Sequence, residues 1–337
     1  MNAFIKAISY YLPEKNFSNE DFFNMFPDSV SQRDNYLRIG VSNRRIVDKN
    51  TTASDLGVKA GLALFKEHGI KPEEIDFLLF CALEFDHPFP SSSCIIQEKL
   101  NLPTSCGATD YNLGCSGFVY GLGMAKGMIE SLDLKNVLLI TSSTLSKTIH
   151  KKDKSSKFLF GDGAAATLIS SRENDPGIGS FILGTDGKMA EKIIIKDGGA
   201  RNPISDNSFQ EKENEHGNIT SDAHLFMDGG AVFHFGLKTV PSMISDLLLK
   251  EKIKMEEVDL FIFHQANLFL IDTIRIKMKI PEEKVYNCME NVGNTVSASI
   301  PIVLCEAIKE GKAKPGQRIL LAGFGVGLSW GATIIRL

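Results

Sequence analysis

No stretch of this chain stays apolar for the ~18 residues that suggest a membrane-spanning helix. Its start, Met1-Asn2-Ala3-Phe4-Ile5-Lys6, lacks the basic, apolar and small-residue segments of a secretory leader. Cysteine is scarce. Cys81, Cys94, Cys106, Cys115, Cys288 and Cys305 form no CxxC pair and no regular spacing, which argues against a disulfide framework or a thiolate metal site and for a reducing cytoplasm. An excess of one charge is missing too. Lys and Arg number 37 against 41 Asp and Glu, for a net charge of −4, so a general nucleic-acid binder is not expected. His87, His150, His216, His224 and His234 show no metal-ligand spacing such as HExxH. What is present is a 337-residue chain, 43% apolar and 23% charged, able to bury a substantial core as two domains or one large duplicated one.

Strand and helix patterns alternate along it. A short strand at Phe4–Ser9 precedes a polar helical region that ends in a basic loop, Tyr36 to Arg45, read as a solvated face or an anion-contacting entrance. Thr52-Ala53-Ser54-Asp55 caps a helix running to His68, with Leu56, Ala60, Leu64 and Phe65 on its apolar side. Ile75–Cys81 and Val137–Thr141 read as buried central strands, Ser91–Leu100 as a helix, and Thr167–Ser170 as the strand closing the first half. The polar stretch Asp197–Ser221 has few large apolar residues and reads as a mobile loop insertion.

An internal repeat organises the chain. Ile70-Lys71-Pro72-Glu73-Glu74-Ile75-Asp76-Phe77-Leu78-Leu79-Phe80 matches Ile253-Lys254-Met255-Glu256-Glu257-Val258-Asp259-Leu260-Phe261-Ile262-Phe263 without a gap. Each copy follows an amphipathic helix and ends in a central strand; a glycine-bearing loop, a helix and a further strand follow. Two duplicated α/β halves are therefore expected, residues 1–175 and 176–337, meeting near 171–179, with a largely parallel sheet and ligands at the carboxyl ends of strands.

Three stretches carry chemistry. Asn112-Leu113-Gly114-Cys115-Ser116-Gly117-Phe118 places a cysteine between small residues at a helix start, where the helix dipole favours thiolate. His264-Gln265-Ala266-Asn267 follows the buried strand Leu260–Phe263, so His264 sits at a strand's carboxyl end. Asn291-Val292-Gly293-Asn294-Thr295 opens a helix from Pro301 to Lys309 and is otherwise ordinary capping chemistry. The C-terminal Gly323-Phe324-Gly325-Val326-Gly327 has no partner residues for a nucleotide, but can bring a backbone N–H to an oxyanion.

Together with Phe160-Gly161-Asp162-Gly163-Ala164, these stretches resemble the condensing enzymes of the thiolase superfamily, specifically ketoacyl-ACP synthase III, over essentially the whole chain. The resemblance implies a thiolase-like α/β fold, two duplicated βαβαβαββ halves layered α-β-α-β-α. The N-terminal half would carry the nucleophile and the C-terminal half His and Asn. It places the family's Cys-His-Asn triad on Cys115, His264 and Asn294. Cys115 and Val326 would supply the oxyanion N–H groups, Asn267 would order the site, and Gly161-Asp162-Gly163 would support it from beneath. The implied reaction is a decarboxylating Claisen condensation: Cys115 takes an acyl group from acyl-CoA or an acyl carrier protein, and malonyl-ACP extends it to a 3-oxoacyl product. Such a transferase serves fatty-acid initiation, or a specialised acyl or polyketide pathway. It needs no metal and no cofactor beyond its thioester substrates, and is expected to be a cytoplasmic homodimer.

Substrate delivery departs from the family pattern. Arg38 and Lys154 match CoA-contacting positions, but Asp34 stands near the place of the usual adenine-stacking tryptophan. Phe269 replaces an arginine that contacts acyl carrier protein, while Arg275, Lys277 and Lys279 offer a displaced basic patch or merely a solvated face. Phe89 matches a residue that crosses the dimer interface and limits the acyl pocket, which favours a short acyl group. Alternatives to condensation are an acyltransferase of the same fold acting on an O or N acceptor, a non-decarboxylating acyl condensation, a cysteine hydrolase with a Cys-His-Asn triad, and a non-catalytic homologue. The intact Cys115, His264 and Asn294 argue for condensation.

Overall fold

A computed structural model describes residues 2–173, 177–215 and 217–337. Within the expected junction at 171–179, residues 174–176 lie outside the described residues, as does His216.

Two sheets form the frame. The first has five strands in the order Asn2–Tyr11, Gly163–Arg172, Asn136–Ser143, Phe77–Ala82 and Gly107–Asn112. The second has four, in the order Leu260–Phe263, Arg318–Gly325, Ser329–Arg336 and Ile178–Thr185. Helices Gly117–Leu132 and Ser299–Lys309 pack between the sheets and touch both. Ala53–His68 and Ser92–Lys99 cover the outside of the first sheet, and Gly229–Glu251 with Leu268–Met278 that of the second. The layering is α-β-α-β-α. The central layer explains why Phe118, Leu122, Ala125 and Ile129 share one core with Ile300, Val303 and Leu304. Among the described residues no helix is long and apolar enough to cross a membrane.

The sheets are mixed, not largely parallel. Phe77–Ala82 pairs in parallel with both neighbours, whereas Gly163–Arg172 pairs antiparallel with Asn136–Ser143 and with Asn2–Tyr11. In the second half Ser329–Arg336 follows Arg318–Gly325 after a tight turn and returns antiparallel. In the first half a helix, Lys154–Leu159, lies between Asn136–Ser143 and Gly163–Arg172, and these strands nevertheless pair antiparallel.

The repeat has a structural cause. Lys71 and Lys254 each donate a backbone N–H to a glutamate three residues on, Glu74 and Glu257, around a 3-10 turn. Asp76 then accepts the N–H groups of Lys135 and Asn136, and Asp259 that of Arg318. In both halves one carboxylate stitches the start of the central strand to its parallel neighbour.

Two expectations are corrected. Asp197–Ser221 is not a bare loop: it contains a 3-10 turn, Asp206–Phe209, and a short pairing of Lys212–Glu213 with Ile219–Thr220. The Tyr36–Arg45 stretch is not simply a solvated basic face. Arg38 is exposed, but Arg44 is fully buried. Its guanidinium donates to Phe158 O at 2.6 Å and Asn19 Oδ1 at 2.8 Å, over the Phe158 ring. Burial lowers its pKa to about 10. These acceptors lie far away in sequence, so a basic run alone could not reveal that one member faces inward.

Candidate active site

Cys115 lies between the end of strand Gly107–Asn112 and helix Gly117–Leu132. Its surroundings leave room only for glycine. A Cβ at Gly325 would meet Cys115 Sγ at 2.6 Å, one at Gly323 would meet Cys115 O at 2.8 Å, and one at Gly114 would meet Val326 Cγ1 at 2.4 Å. Ser116 Oγ and Ser329 Oγ, 2.7 Å apart, join the cysteine turn to the strand Ser329–Arg336. The glycine-rich C-terminal strand thus runs directly against Cys115, and the backbone N–H groups of Val326 and Cys115 reach the sulfur.

His264 caps the carboxyl end of Leu260–Phe263 and donates its N–H to Ala322 O at 2.8 Å. Its Nδ1 lies 2.7 Å from Ser299 Oγ, and Phe324 meets the ring edge-on. Gln265 N–H also points at Ser299 Oγ, at 3.4 Å. When the serine hydroxyl donates to Nδ1, the imidazole proton lies on Nε2.

Asn294 is held at both ends. Its backbone N–H donates to Leu159 O and its carbonyl accepts from Gly161, both at 3.0 Å. Its Oδ1 accepts Val296 N–H at 2.9 Å, which leaves Nδ2 as the donor end, directed at Ala266 O at 3.5 Å. Nδ2 lies 3.5 Å from His264 Nε2. Val296 takes a φ of +54 to make this contact. That conformation costs a β-branched residue on the order of 1–3 kcal/mol and fixes the amide's direction. With the imidazole proton on Nε2, two N–H donors face the same point.

Cys115, His264, Asn294, Asn267 and Val326 all line one cavity of 110 Å³. The remaining wall is apolar, with Leu83, Leu145, Leu159, Phe160 and Phe233 among its members, and no charged side chain lines it. Burial pushes the Cys115 thiol up to about 12 despite the N–H groups of Val326 and Cys115, and drives the His264 imidazole down to about 3. Desolvation of the sulfur thus opposes the thiolate that the helix start favours, and the lowered imidazole pKa makes His264 a weak base.

The other sequence-derived residues fall into three groups. Asn267 belongs to the site but acts as a cap, its Oδ1 accepting Leu270 N–H at 2.7 Å. Asp162 supports the site from beneath, accepting Val47 N–H, Ser146 N–H and Ser146 Oγ–H. Arg38, Lys154, Phe89, Phe269, Arg275 and Lys277 stand outside the cavity. Lys154 pairs with Asp28, Arg275 with Asp272 and Glu282, and Lys277 donates to Leu237 O. Arg275 is thus largely neutralised as part of a basic patch. Phe269 is 54% exposed and stacks on the cavity residue Phe233 at 5.5 Å, and Phe89 is 85% exposed. Sequence reasoning missed Ser299, which looks like an ordinary helix-start serine, and Glu84. The latter is half-buried, with its Oε1 atom shielded from solvent and unpartnered among the described residues. Burial and the Asp162 charge push the Glu84 carboxyl up to about 7. Among the described residues no group of three or more His, Cys, Asp or Glu side chains could hold a metal ion.

Comparison with known proteins agrees with this geometry. Residues 109–187 match the family described as 3-oxoacyl-(acyl-carrier-protein) synthase III, and residues 248–337 match its C-terminal family. A beta-ketoacyl-(acyl-carrier-protein) synthase III of Clostridium perfringens is 37% identical, over 100% of this chain and 99% of that one. A solved 3-oxoacyl-(acyl-carrier-protein) synthase III superposes with a TM-score of 0.98 at 40% identity, covering 100% of both chains. The priming beta-ketosynthase of the R1128 polyketide pathway superposes at 0.84 with 26% identity, over 100% of this chain and 96% of that one. This chain belongs to the 3-oxoacyl-(acyl-carrier-protein) synthase III family of condensing enzymes.

Proposed function

We propose that Cys115, His264 and Asn294 divide a decarboxylative condensation between them. In the first half-reaction Cys115 Sγ attacks an acyl thioester. The Sγ–carbon bond forms, the donor's carbon–sulfur bond breaks, and the cysteine proton leaves with the donor thiol. The N–H groups of Cys115 and Val326 receive the tetrahedral oxyanion.

In the second half-reaction a malonyl thioester places its carbonyl oxygen between His264 Nε2–H and Asn294 Nδ2–H. The bond to the carboxylate breaks, CO₂ leaves, and the electron pair spreads onto that oxygen as an enolate. Its carbon attacks the acyl-Cys115 carbonyl. The cysteine leaves as thiolate, takes up a proton, and the 3-oxoacyl thioester departs. The uncharged lining assists, because a malonyl carboxylate there has no cation to hold it and its loss is favoured. The extender is carried on acyl carrier protein and the enzyme initiates an acyl chain for fatty-acid or polyketide synthesis, as the names of its relatives support.

The observation that carries this reading is the convergence of two neutral donors, 3.5 Å apart, in the cavity of a cysteine. A hydrolase would instead need His264 as a base beside the thiol, and burial of the imidazole opposes that role. The test is CO₂ release from malonyl carrier protein together with 3-oxoacyl product. The reading predicts that His264→Ala and Asn294→Ala each lose decarboxylation by about 100-fold or more, while Cys115 remains acylatable. Undiminished decarboxylation in both variants would overturn the assignment.

A further inference from the structure

The reaction cavity reaches solvent between two helix starts. His264, Asn294 and Phe324 in its lining are buried, whereas Gly229 is exposed and Val232, Phe233 and Asn267 are half-buried. Gly229, Val232 and Phe233 belong to the first turns of helix Gly229–Glu251, and Asn267 caps helix Leu268–Met278. A cavity of 110 Å³ takes the reacting group and the end of its arm. A protein carrying that arm stays outside and rests on this rim.

The rim is apolar. Phe269, in the first turn of Leu268–Met278, is 54% exposed, and its ring lies 5.5 Å from that of Phe233 and within 11° of parallel. Ile276, seven residues on and so on the same helix face, is 64% exposed. Leu37, 45% exposed, shares a groove of 330 Å³ with Leu268, whose N–H donates to Ile39 O at 2.9 Å. Exposed apolar side chains scattered singly carry no message, but several around a cavity mouth mark an interaction surface. Arg275 is paired with Asp272 and Glu282, and Lys277 donates to Leu237 O. The other exposed charges on these segments have both signs, Arg38, Lys238 and Lys279 against Asp34 and Glu290, so charge alone does not single out a partner.

Phe269 has the properties of an anchor. An aromatic ring offers a large contact area with few rotatable bonds. The stack on Phe233 already orients it, so little freedom is lost when a partner covers it. We infer that Phe269 is the side chain on which the malonyl carrier protein docks, opposite an apolar side chain that the carrier presents beside its arm. The inference rests on the condensing reading above and names the residue that recognises its partner.

The test compares malonyl carrier protein and malonyl-pantetheine as extenders for the full-length protein, with acyl-CoA fixed, at about 50 and about 300 mM salt. In Phe269→Ala the ratio of kcat/KM for the carrier to that for pantetheine should fall about tenfold or more. The fall should come from KM for the carrier, with kcat for the carrier within about twofold of wild type. It should persist at the higher salt, because an apolar contact is not screened. Phe269→Leu, which keeps an apolar side chain, should stay within about threefold of wild type. An unchanged ratio in a folded Phe269→Ala protein overturns the inference. So does an equal loss with both extenders, which would make the ring a support for Phe233 and the cavity, or a loss that disappears at high salt. If the wild type extends with neither malonyl thioester, the condensing reading fails first, and the inference with it.

Discussion

Replacing Ser299 by alanine isolates how the imidazole is set. Ser299 Oγ is buried 2.7 Å from His264 Nδ1 and within reach of Gln265 N–H. Without the hydroxyl, Nδ1 and that N–H lose their partner, and the proton is free to move from Nε2 to Nδ1. Complete loss of one oxyanion donor costs about 3–4 kcal/mol. Ser299 acts through His264 and removes only the preference, so about 1–2 kcal/mol is expected, or roughly 5- to 30-fold in decarboxylation rate. In the proposed mechanism acylation of Cys115 draws on the N–H groups of Cys115 and Val326, so it should change less than about threefold. The assay follows CO₂ release and acyl-enzyme formation separately, with Ser299→Thr as the variant that keeps a hydroxyl. Equal losses in both half-reactions would refute the tautomer argument. So would decarboxylation within about twofold of wild type in a folded Ser299→Ala protein.

Further consequences follow from contacts and charge. Gly325→Ala puts a methyl 2.6 Å from Cys115 Sγ; acylation should fall by about 100-fold or more, as read by intact mass over time. With the Cys115 thiol at about 12 and His264 at about 3, acylation through the thiolate should rise about tenfold per pH unit from about pH 6 to 9, with no inflection from His264. Glu84 has a folded pKa of about 7, above its ordinary 4.5. The folded state therefore holds a proton that the unfolded state has lost, and stability declines as pH rises through that window. Glu84→Gln should consequently stabilise the protein at pH 8 by up to about 3 kcal/mol and have little effect at pH 4, measured by denaturant unfolding. Arg44→Ala leaves Phe158 O and Asn19 Oδ1 without their donor and should cost about 3–5 kcal/mol in the same measurement.

The residues that the fold brings together around the cavity were legible in the sequence. Cys115, His264 and Asn294 come from three separate stretches, each set by a strand end or a glycine turn, and the fold brings them into one cavity. The Glu-Glu-x-Asp repeat was legible as duplication because the same capping and stitching occurs twice. Long-range partners were not. Arg44 reads as one more basic loop residue until Phe158 and Asn19 close over it. Ser299 has the composition of a cap, and only the approach of His264 from 35 residues away gives it another task. The upward push on the Cys115 thiol comes from burial by residues distant in sequence, which no local pattern records. The antiparallel returns of Gly163–Arg172 and Ser329–Arg336 escaped because an apolar strand buried on both faces reads alike in either direction.

The central claim is that Cys115 carries the acyl group that the malonyl-derived enolate attacks. Intact-protein mass, taken after incubation with acyl thioesters and again after malonyl carrier protein, tests it most directly, with Cys115→Ala run alongside. The account predicts one acyl adduct on wild type, none on the variant, and discharge of the adduct as a 3-oxoacyl thioester when the extender arrives. An adduct that forms equally on Cys115→Ala, or one that persists while malonyl carrier protein is present, would contradict it.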